Sequence, residues 1–360
     1  MRIAIIHPFL YREARGIERF TFNLANAWAA RGDEIHLVTW RWPQPIVIDA
    51  LDPAVQAHFM PTARYFTALT MGPLYAWHLA RQAYDFVWLH FAGYGEAEAL
   101  TLFPRQPFGV IFHFPFAQVP HRYHEFQRFN LMNRARQIVA VSQYVAEGVQ
   151  AAFGRASGVI PHGVNAERFA PRPEQRGALR ALFGLSGDIP VLLTVAALEE
   201  RKGVQWALRA LPMVLSRFPA ARYWIVGDGL YRPVLEALAQ ELGLTAAVQW
   251  LGAQPDVAPY LQAADMFLIP ARGEASSLAA LEALACGLPV LAADRPPFTE
   301  LITSAWGALV DETNAVEMAA IICQWLASPA LRHQLGQSGR ARVLAHHTWA
   351  RVAEQFAQLV

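Results

Sequence analysis

Two glutamates, Glu274 and Glu282, stand eight positions apart in the run Pro270-Ala271-Arg272-Gly273-Glu274-Ala275-Ser276-Ser277-Leu278-Ala279-Ala280-Leu281-Glu282-Ala283-Leu284-Ala285-Cys286-Gly287. The run reads as a strand end, a loop and a helix. Ser276 or Ser277 caps the helix, Gly287 ends it, and Leu278, Leu281 and Ala285 form its buried face. Glu274 then falls in the loop at the C-terminal end of the strand, and Glu282 well inside the helix. In doubly wound sheets ligands bind at that edge. A helix N-terminus there offers unpaired N–H groups and the positive end of a dipole, which suit phosphate. One short segment can thus supply a carboxylate for hydroxyls, amides for phosphate and a second carboxylate for a diol. On spacing alone, a loop charge and a solvated helix residue fit the two glutamates equally well.

Lys202 is the only lysine among 30 basic residues. A coding preference for arginine accounts for the rest, so Lys202 marks a position suited to a compact ammonium. His113, in Phe112-His113-Phe114-Pro115, follows an apolar run, as does His90; a histidine between aromatics is often a packed core residue. His346 and His347 are neighbours, which do not share a helix face, and read as surface. The two cysteines, Cys286 and Cys323, lack metal-ligand spacing and fit a reducing compartment.

The elements around these residues alternate. Strands are predicted at Ile3–His7, Ile35–Thr39, Phe86–Leu89, Phe108–Phe112 and Gln137–Val141. A helix opens at Gly16 with Ile17, Phe20, Leu24, Ala27 and Trp28 on one face, and another runs over Gln143–Ala152 behind a Ser142 cap. Region 42–80 is irregular. Glycines and prolines from Gly163 to Pro190 mark a break, with a short arginine-rich helix inside it. Alternation then restarts with strands at Val191–Val195, Arg222–Val226, Val248–Leu251, Met266–Ile269 and Pro289–Ala292, and a last helix covers about 348–360. Two α/β domains with doubly wound parallel sheets follow, over 1–165 and 166–345, and the 346–360 helix can return to the first.

The Glu274–Glu282 segment resembles the E-x7-E region of the glycogen-synthase-like retaining glycosyltransferases, family 4, which have the GT-B fold of two facing Rossmann-like domains. The resemblance is not local. Ile160-Pro161-His162-Gly163-Val164-Asn165 resembles the family's interdomain turn, Arg201-Lys202-Gly203-Val204 its Lys-Gly loop, and Val226-Gly227-Asp228-Gly229 its V-G-D-G-P turn. Leu251-Gly252 with Ala264-Asp265-Met266-Phe267-Leu268-Ile269-Pro270 resembles the following run. Gly16 matches the N-terminal glycine loop and His113 the histidine after a strand. The resemblance implies transfer of a hexose from a nucleoside-diphosphate sugar to a glycan, lipid-linked or other hydroxyl acceptor, with the donor mostly on the second domain and no metal. It implies that Glu282 holds the ribose and Glu274 the donor sugar. Lys202 and the amides of Leu278 and Ala279 would meet the diphosphate, Gly16 would let the first loop approach it, and His113 would lie near the sugar. Where the family commonly has Gly-Arg before Lys-Gly, this chain has Ala196-Ala197, so Arg201 is the available second cation. A non-catalytic binding subunit and a nucleotide-sugar epimerase are the alternative readings.

Composition agrees with an ordered enzyme of this kind. Hydrophobic residues make up 54% and charged residues 16%, which excludes disorder, and a net charge of +1 gives no pull toward nucleic acid. No run reaches the roughly 20 apolar residues of a membrane span, so the expectation is a cytoplasmic protein. The basic, aromatic segment His121–Arg136, with Arg122, Arg128, Arg134 and Arg136, reads first as a helix lining the acceptor site, and second as peripheral contact with anionic lipid at the inner membrane face. The expected partners are the nucleotide-sugar donor and a saccharide or lipid-linked acceptor, with no separate cofactor.

Overall fold

The computed structural model describes residues 1–7, 10, 16–41, 51–61, 68–90, 106–114, 130–185 and 189–360. Arg15, beside Gly16, Gly187 in the break, and 121–129 of the basic segment lie outside the described residues. The chain folds into two compact units: Met1–Gly163 with Trp349–Val360, and Val164–Thr348.

The first unit is built on a parallel sheet of seven strands: β1 (Arg2–Ile6), β2 (Glu34–Trp40), β3 (Gln56–Met60), β4 (Phe86–His90), β5 (Phe108–Phe112), β6 (Gln137–Ala140) and β7 (Gly158–Val159). Their order is β3-β2-β1-β4-β5-β6-β7. The central strands are apolar runs buried throughout, as strands covered on both faces must be. β3 is an edge strand with only Met60 buried, and the helix Ala68–Arg81 carries Pro73 inside it; neither gives a clear hydrophobic period, and both fall in the region that sequence left irregular. The helix Gly16–Ala29 buries more than one stripe. Phe20, Thr21, Phe22, Leu24, Ala25 and Trp28 are buried while Ile17 and Ala27 are only half-buried, so its expected face is corrected. The helix Trp349–Ala357 covers it: Trp349 lies 5.4 Å from Phe20 and Phe356 6.0 Å from Trp28, centroid to centroid. A Cβ on Gly163 would stand 2.7 Å from the Trp349 ring, so this turn needs a residue without one.

The second unit has six parallel strands: β8 (Val191–Val195), β9 (Arg222–Val226), β10 (Val248–Gly252), β11 (Met266–Ile269), β12 (Val290–Ala293) and β13 (Gly307–Val310), in the order β10-β9-β8-β11-β12-β13. The strand period of two divides its side chains between two cores. Val191, Leu193, Trp224, Val226, Phe267 and Ile269 pack on one face, and Leu192, Tyr223, Ile225, Met266 and Leu268 on the other. Asp265 pins the ends of β8 and β11 together. Its carboxylate accepts from the Val191 N–H at 2.8 Å and pairs with Arg176 and Arg180 of the arginine-rich helix Pro173–Leu182. Arg180 and Asp265 are largely enclosed, while Arg176 is about a third exposed.

His347 is buried, which corrects the surface reading of the His346-His347 pair. It ends the helix Pro329–His346, and its carbonyl accepts the Val164 N–H at 2.7 Å; His346 alone is exposed. No helix among the described residues is long and apolar enough to cross a membrane.

Candidate active site

A parallel sheet whose chain winds outward in two directions has a crevice where the winding reverses, at the C-terminal edge. In the second unit the reversal lies between β8 and β11, since β8 pairs with β9 on one side and β11 on the other. The loops leaving these two strands carry Arg201-Lys202 and Glu274. Lys202 Nζ donates to Glu274 Oε1 at 2.6 Å, and Arg201 Nη1 donates to the same oxygen at 3.0 Å. Arg201 and Lys202 both lie in the single 3-10 turn Glu200–Lys202, and each reaches this oxygen through its long side chain. Arg201 is also held by Glu199 at 2.7 Å and is half-exposed, whereas Lys202 and Glu274 are largely enclosed. Glu274 and Glu199 together balance the two cations, so an anionic ligand at this edge would take the place of a carboxylate. Arg201 thus stands beside Lys202 in a chain with Ala197 where the family has an arginine.

Glycine makes this meeting sterically possible. Gly203 has φ +74°, and a Cβ there would fall 1.8 Å from the Pro270 carbonyl oxygen, so the loop after β8 lies directly on the end of β11. Gly227, at φ +137°, lets the loop after β9 approach Ala196 as closely. The Arg272 N–H then donates to the Arg201 carbonyl at 2.6 Å, tying the Glu274 loop to the lysine loop.

The helix Leu278–Ala285 follows. Ser277, not Ser276, is its cap, accepting from the Ala280 N–H at 3.2 Å. The N–H groups of Leu278 and Ala279 have no partner among the described residues, as the first turn of a helix dictates. Leu278 is half-buried rather than part of the buried face. The helix instead buries Ala280, Leu281, Ala283, Leu284 and Ala285, and a helix apolar on nearly every side is packed on several sides. Glu282 is half-buried five residues in, and Gly287, at φ +74°, terminates the helix.

The corresponding reversal in the first unit lies between β1 and β4. His7 follows β1, His90 ends β4 and His113 follows β5; all are buried. His90 Nδ1 and His113 Nε2 share a hydrogen bond at 3.0 Å, with the rings stacked 11° from parallel. Phe20 meets His113 edge-on at 4.9 Å and also packs on His162. Thr21 Oγ1, which donates to the Ile17 carbonyl, lies 3.4 Å from both His7 Nδ1 and His90 Nδ1. Among the described residues, His90 Nε2, His113 Nδ1 and both nitrogens of His162 have no hydrogen-bond partner. No group of three or more His, Cys, Asp or Glu among those residues is arranged to hold a metal ion. Gly16 is the exposed first residue of its helix. Sequence reasoning weighed His90 and His113 separately and missed His7 and His162; the signal was a histidine closing or following three strand-like runs.

Burial keeps these rings neutral. His7 and His162 are lowered to about 3 by desolvation, and His90 and His113 well below the ordinary value, first by desolvation and then by neighbouring histidines. Unfolded, they titrate near 6.5. Their stabilisation is therefore complete above about pH 6.5 and is lost as pH falls toward 3, because the unfolded state binds the extra protons. Melting of the first unit is expected to drop steeply below about pH 6, by up to ~1.4 kcal/mol per pH unit for each ring. A pH series of melting curves for wild type and His162→Phe checks this: the variant's curve should be shallower by one proton, and identical slopes would contradict it.

Two family models match, together covering most of the chain: "Glycosyltransferase Family 4" over residues 14–168 and "Glycosyl transferases group 1" over 176–342. A GDP-mannose-dependent monoacylated alpha-(1-6)-phosphatidylinositol monomannoside mannosyltransferase of Corynebacterium glutamicum is 32% identical over 232 residues, 61% of this chain and 60% of that protein. The chain thus matches about three fifths of that relative's length. Sucrose-phosphate synthase from Thermosynechococcus elongatus superposes with a TM-score of 0.83 at 24% identity, over 99% of this chain and 98% of the other. Anabaena HepE, solved with UDP and glucose, superposes with a TM-score of 0.81 at 20% identity, again over 99% and 98%. Both likenesses support the fold, which is GT-B. With both halves matched in order, the chain belongs to the family 4 glycosyltransferases.

Proposed function

We propose that this chain transfers a hexose, with retention of configuration, from a nucleoside-diphosphate sugar to a hydroxyl acceptor. The observation that carries the reading is the pairing of Lys202 and Arg201 on Glu274 at the β8/β11 reversal, one loop from the open amides of Leu278 and Ala279. Breaking the sugar–phosphate bond builds negative charge on the diphosphate. Fixed ammonium, guanidinium and amide donors stabilise that charge without reorganising. In this reading the diphosphate draws Lys202 and Arg201 from Glu274, and the released carboxylate takes hydroxyls of the sugar. Glu282 holds the ribose. In the first unit, His113 is the proposed contact for a hydroxyl; its buried Nδ1 has no hydrogen-bond partner among the described residues.

The relatives suggest where to look for substrates. GDP-mannose is the first donor to try and UDP-glucose the second, with a lipid-linked or phosphorylated saccharide as acceptor and peripheral contact with a membrane as part of the same proposal. Incubating the protein with each nucleotide sugar, with and without phosphatidylinositol mannoside, and measuring nucleotide release and product mass tests the reading. Acceptor-dependent release with one donor supports it. Interconversion of sugars without nucleotide release would replace it with an isomerase.

A further inference from the structure

Three adjacent strands, β11, β12 and β13, deliver Arg272, Arg295 and Glu312 from their C-terminal ends. Glu312 is 1% exposed, yet the side chains that grip it, Arg272 and Arg295, are 46% and 49% exposed. Arg272 donates its Nε to Glu312 Oε1, and Arg295 donates its Nε to both oxygens, at 2.8 and 3.0 Å. Among the described residues, each guanidinium is therefore hydrogen-bonded through its inner nitrogen. Among the described residues, the terminal nitrogens of both have no hydrogen-bond partner. Arg272 also lies over the Trp206 ring, 5.8 Å from its centroid.

A carboxylate buried under two half-exposed arginines fixes their planes and directs four terminal N–H₂ groups outward. Guanidinium forks held in this way match the oxygens of phosphate and carboxylate. Across the three side chains one positive charge is left over. Two further carboxylates stand near. Asp311 is occupied by the N–H and hydroxyl of Thr313, at 2.9 and 2.8 Å, while Asp294 is exposed and precedes Arg295. Asp311 is lowered first by those Thr313 bonds and then by attraction to Arg295 and Arg272, so the field of the pair extends beyond Glu312. The Arg272 N–H bond to the Arg201 carbonyl makes this cluster continuous with the Lys202–Glu274 edge.

We propose that Arg272 and Arg295, preset by Glu312, form a second anion subsite, for a phosphate monoester or carboxylate carried by the acceptor. The diphosphate already has Lys202, Arg201 and the amides of Leu278 and Ala279 on the proposed reading. The identity of the carrier rests on that reading; anion binding by the pair does not. The competing role is a clip that merely ties three loops together.

Calorimetric titration of the full chain with inorganic phosphate and with glucose 6-phosphate, in the presence and absence of saturating GDP, separates these. Wild type is expected to bind glucose 6-phosphate with GDP bound, at least about tenfold more tightly than glucose. Arg272→Gln/Arg295→Gln should weaken both phosphate probes at least about tenfold and GDP by less than about twofold. Arg295→Gln alone, which leaves Glu312 one arginine, should show half the effect on a logarithmic scale and serves if the double variant does not fold. Undiminished phosphate binding in the variants, with or without a lower melting temperature, leaves only the clip and overturns the proposal. Parallel loss of GDP and phosphate binding overturns it too, because the anion is then the donor's own. Phosphate binding that needs the arginines in a protein that binds no nucleotide would sustain the subsite and remove the donor reading instead.

Discussion

Lys202→Ala is expected to lower turnover by about 10²- to 10³-fold while leaving the second unit folded. The size follows from its place: an ammonium 2.6 Å from Glu274, largely enclosed, at the edge where the leaving diphosphate is proposed to gain charge. The fold survives because Glu274 keeps Arg201, so no enclosed carboxylate is orphaned. Arg201→Ala should cost less, since Arg201 is half-exposed and shared with Glu199. Lys202→Arg should recover only part of the loss, because a planar fork cannot replace a point charge in that space. Glu274→Gln is the informative contrast. It removes the carboxylate that competes for the two cations, so nucleoside diphosphate should bind as well or better while transfer falls. Steady-state nucleotide release and melting curves on the four variants decide this. A Lys202→Ala enzyme within tenfold of wild type would show that the ammonium does not stabilise the transition state.

Gly203→Ala is expected to lower the stability of the second unit by roughly 2–4 kcal/mol. Left-handed backbone accounts for about 1–2 kcal/mol of this. The remainder comes from a Cβ that would fall 1.8 Å from the Pro270 oxygen and 2.6 Å from its carbonyl carbon, so backbone and not a flexible side chain must move. For a unit of this size the melting temperature should fall by roughly 4–16 °C. Nucleotide binding should fall with it, because the displaced loop carries Lys202. Gly243→Ala is the control: it has φ +69° with nothing within 4 Å of its Cβ, and so should show the backbone strain alone. Equal losses in the two variants would mean that the loops after β8 and β11 do not depend on close contact.

Much of this arrangement was legible in sequence where the physics is local. β5, β8, β9 and β11 occupy the residues that their apolar runs predict, because strands buried on both faces must be continuously hydrophobic. Ser142 caps its helix as its type requires, accepting from the Val145 N–H. The glutamate pair and the solitary lysine stood out by type and spacing. What stayed hidden depends on tertiary proximity. β3 has almost no buried side chain, and the helix after it runs through a proline. The Arg272–Glu312–Arg295 cluster joins residues from three loops, with no local pattern to announce it. The buried histidines of the first unit come together only because β1, β4 and β5 are neighbours in the sheet. The convergence of Arg201 and Lys202 depends on Glu274, which stands 72 residues from Lys202 in sequence and reaches both only in the fold.

The most direct measurement is calorimetric titration of GDP and UDP into wild type, Lys202→Ala and Glu274→Gln. Lys202→Ala should weaken the preferred nucleotide at least about tenfold, and Glu274→Gln should leave it unchanged or tighten it. Equal affinity of wild type and Lys202→Ala for both nucleotides, or no binding to wild type, would contradict a diphosphate site built on Lys202.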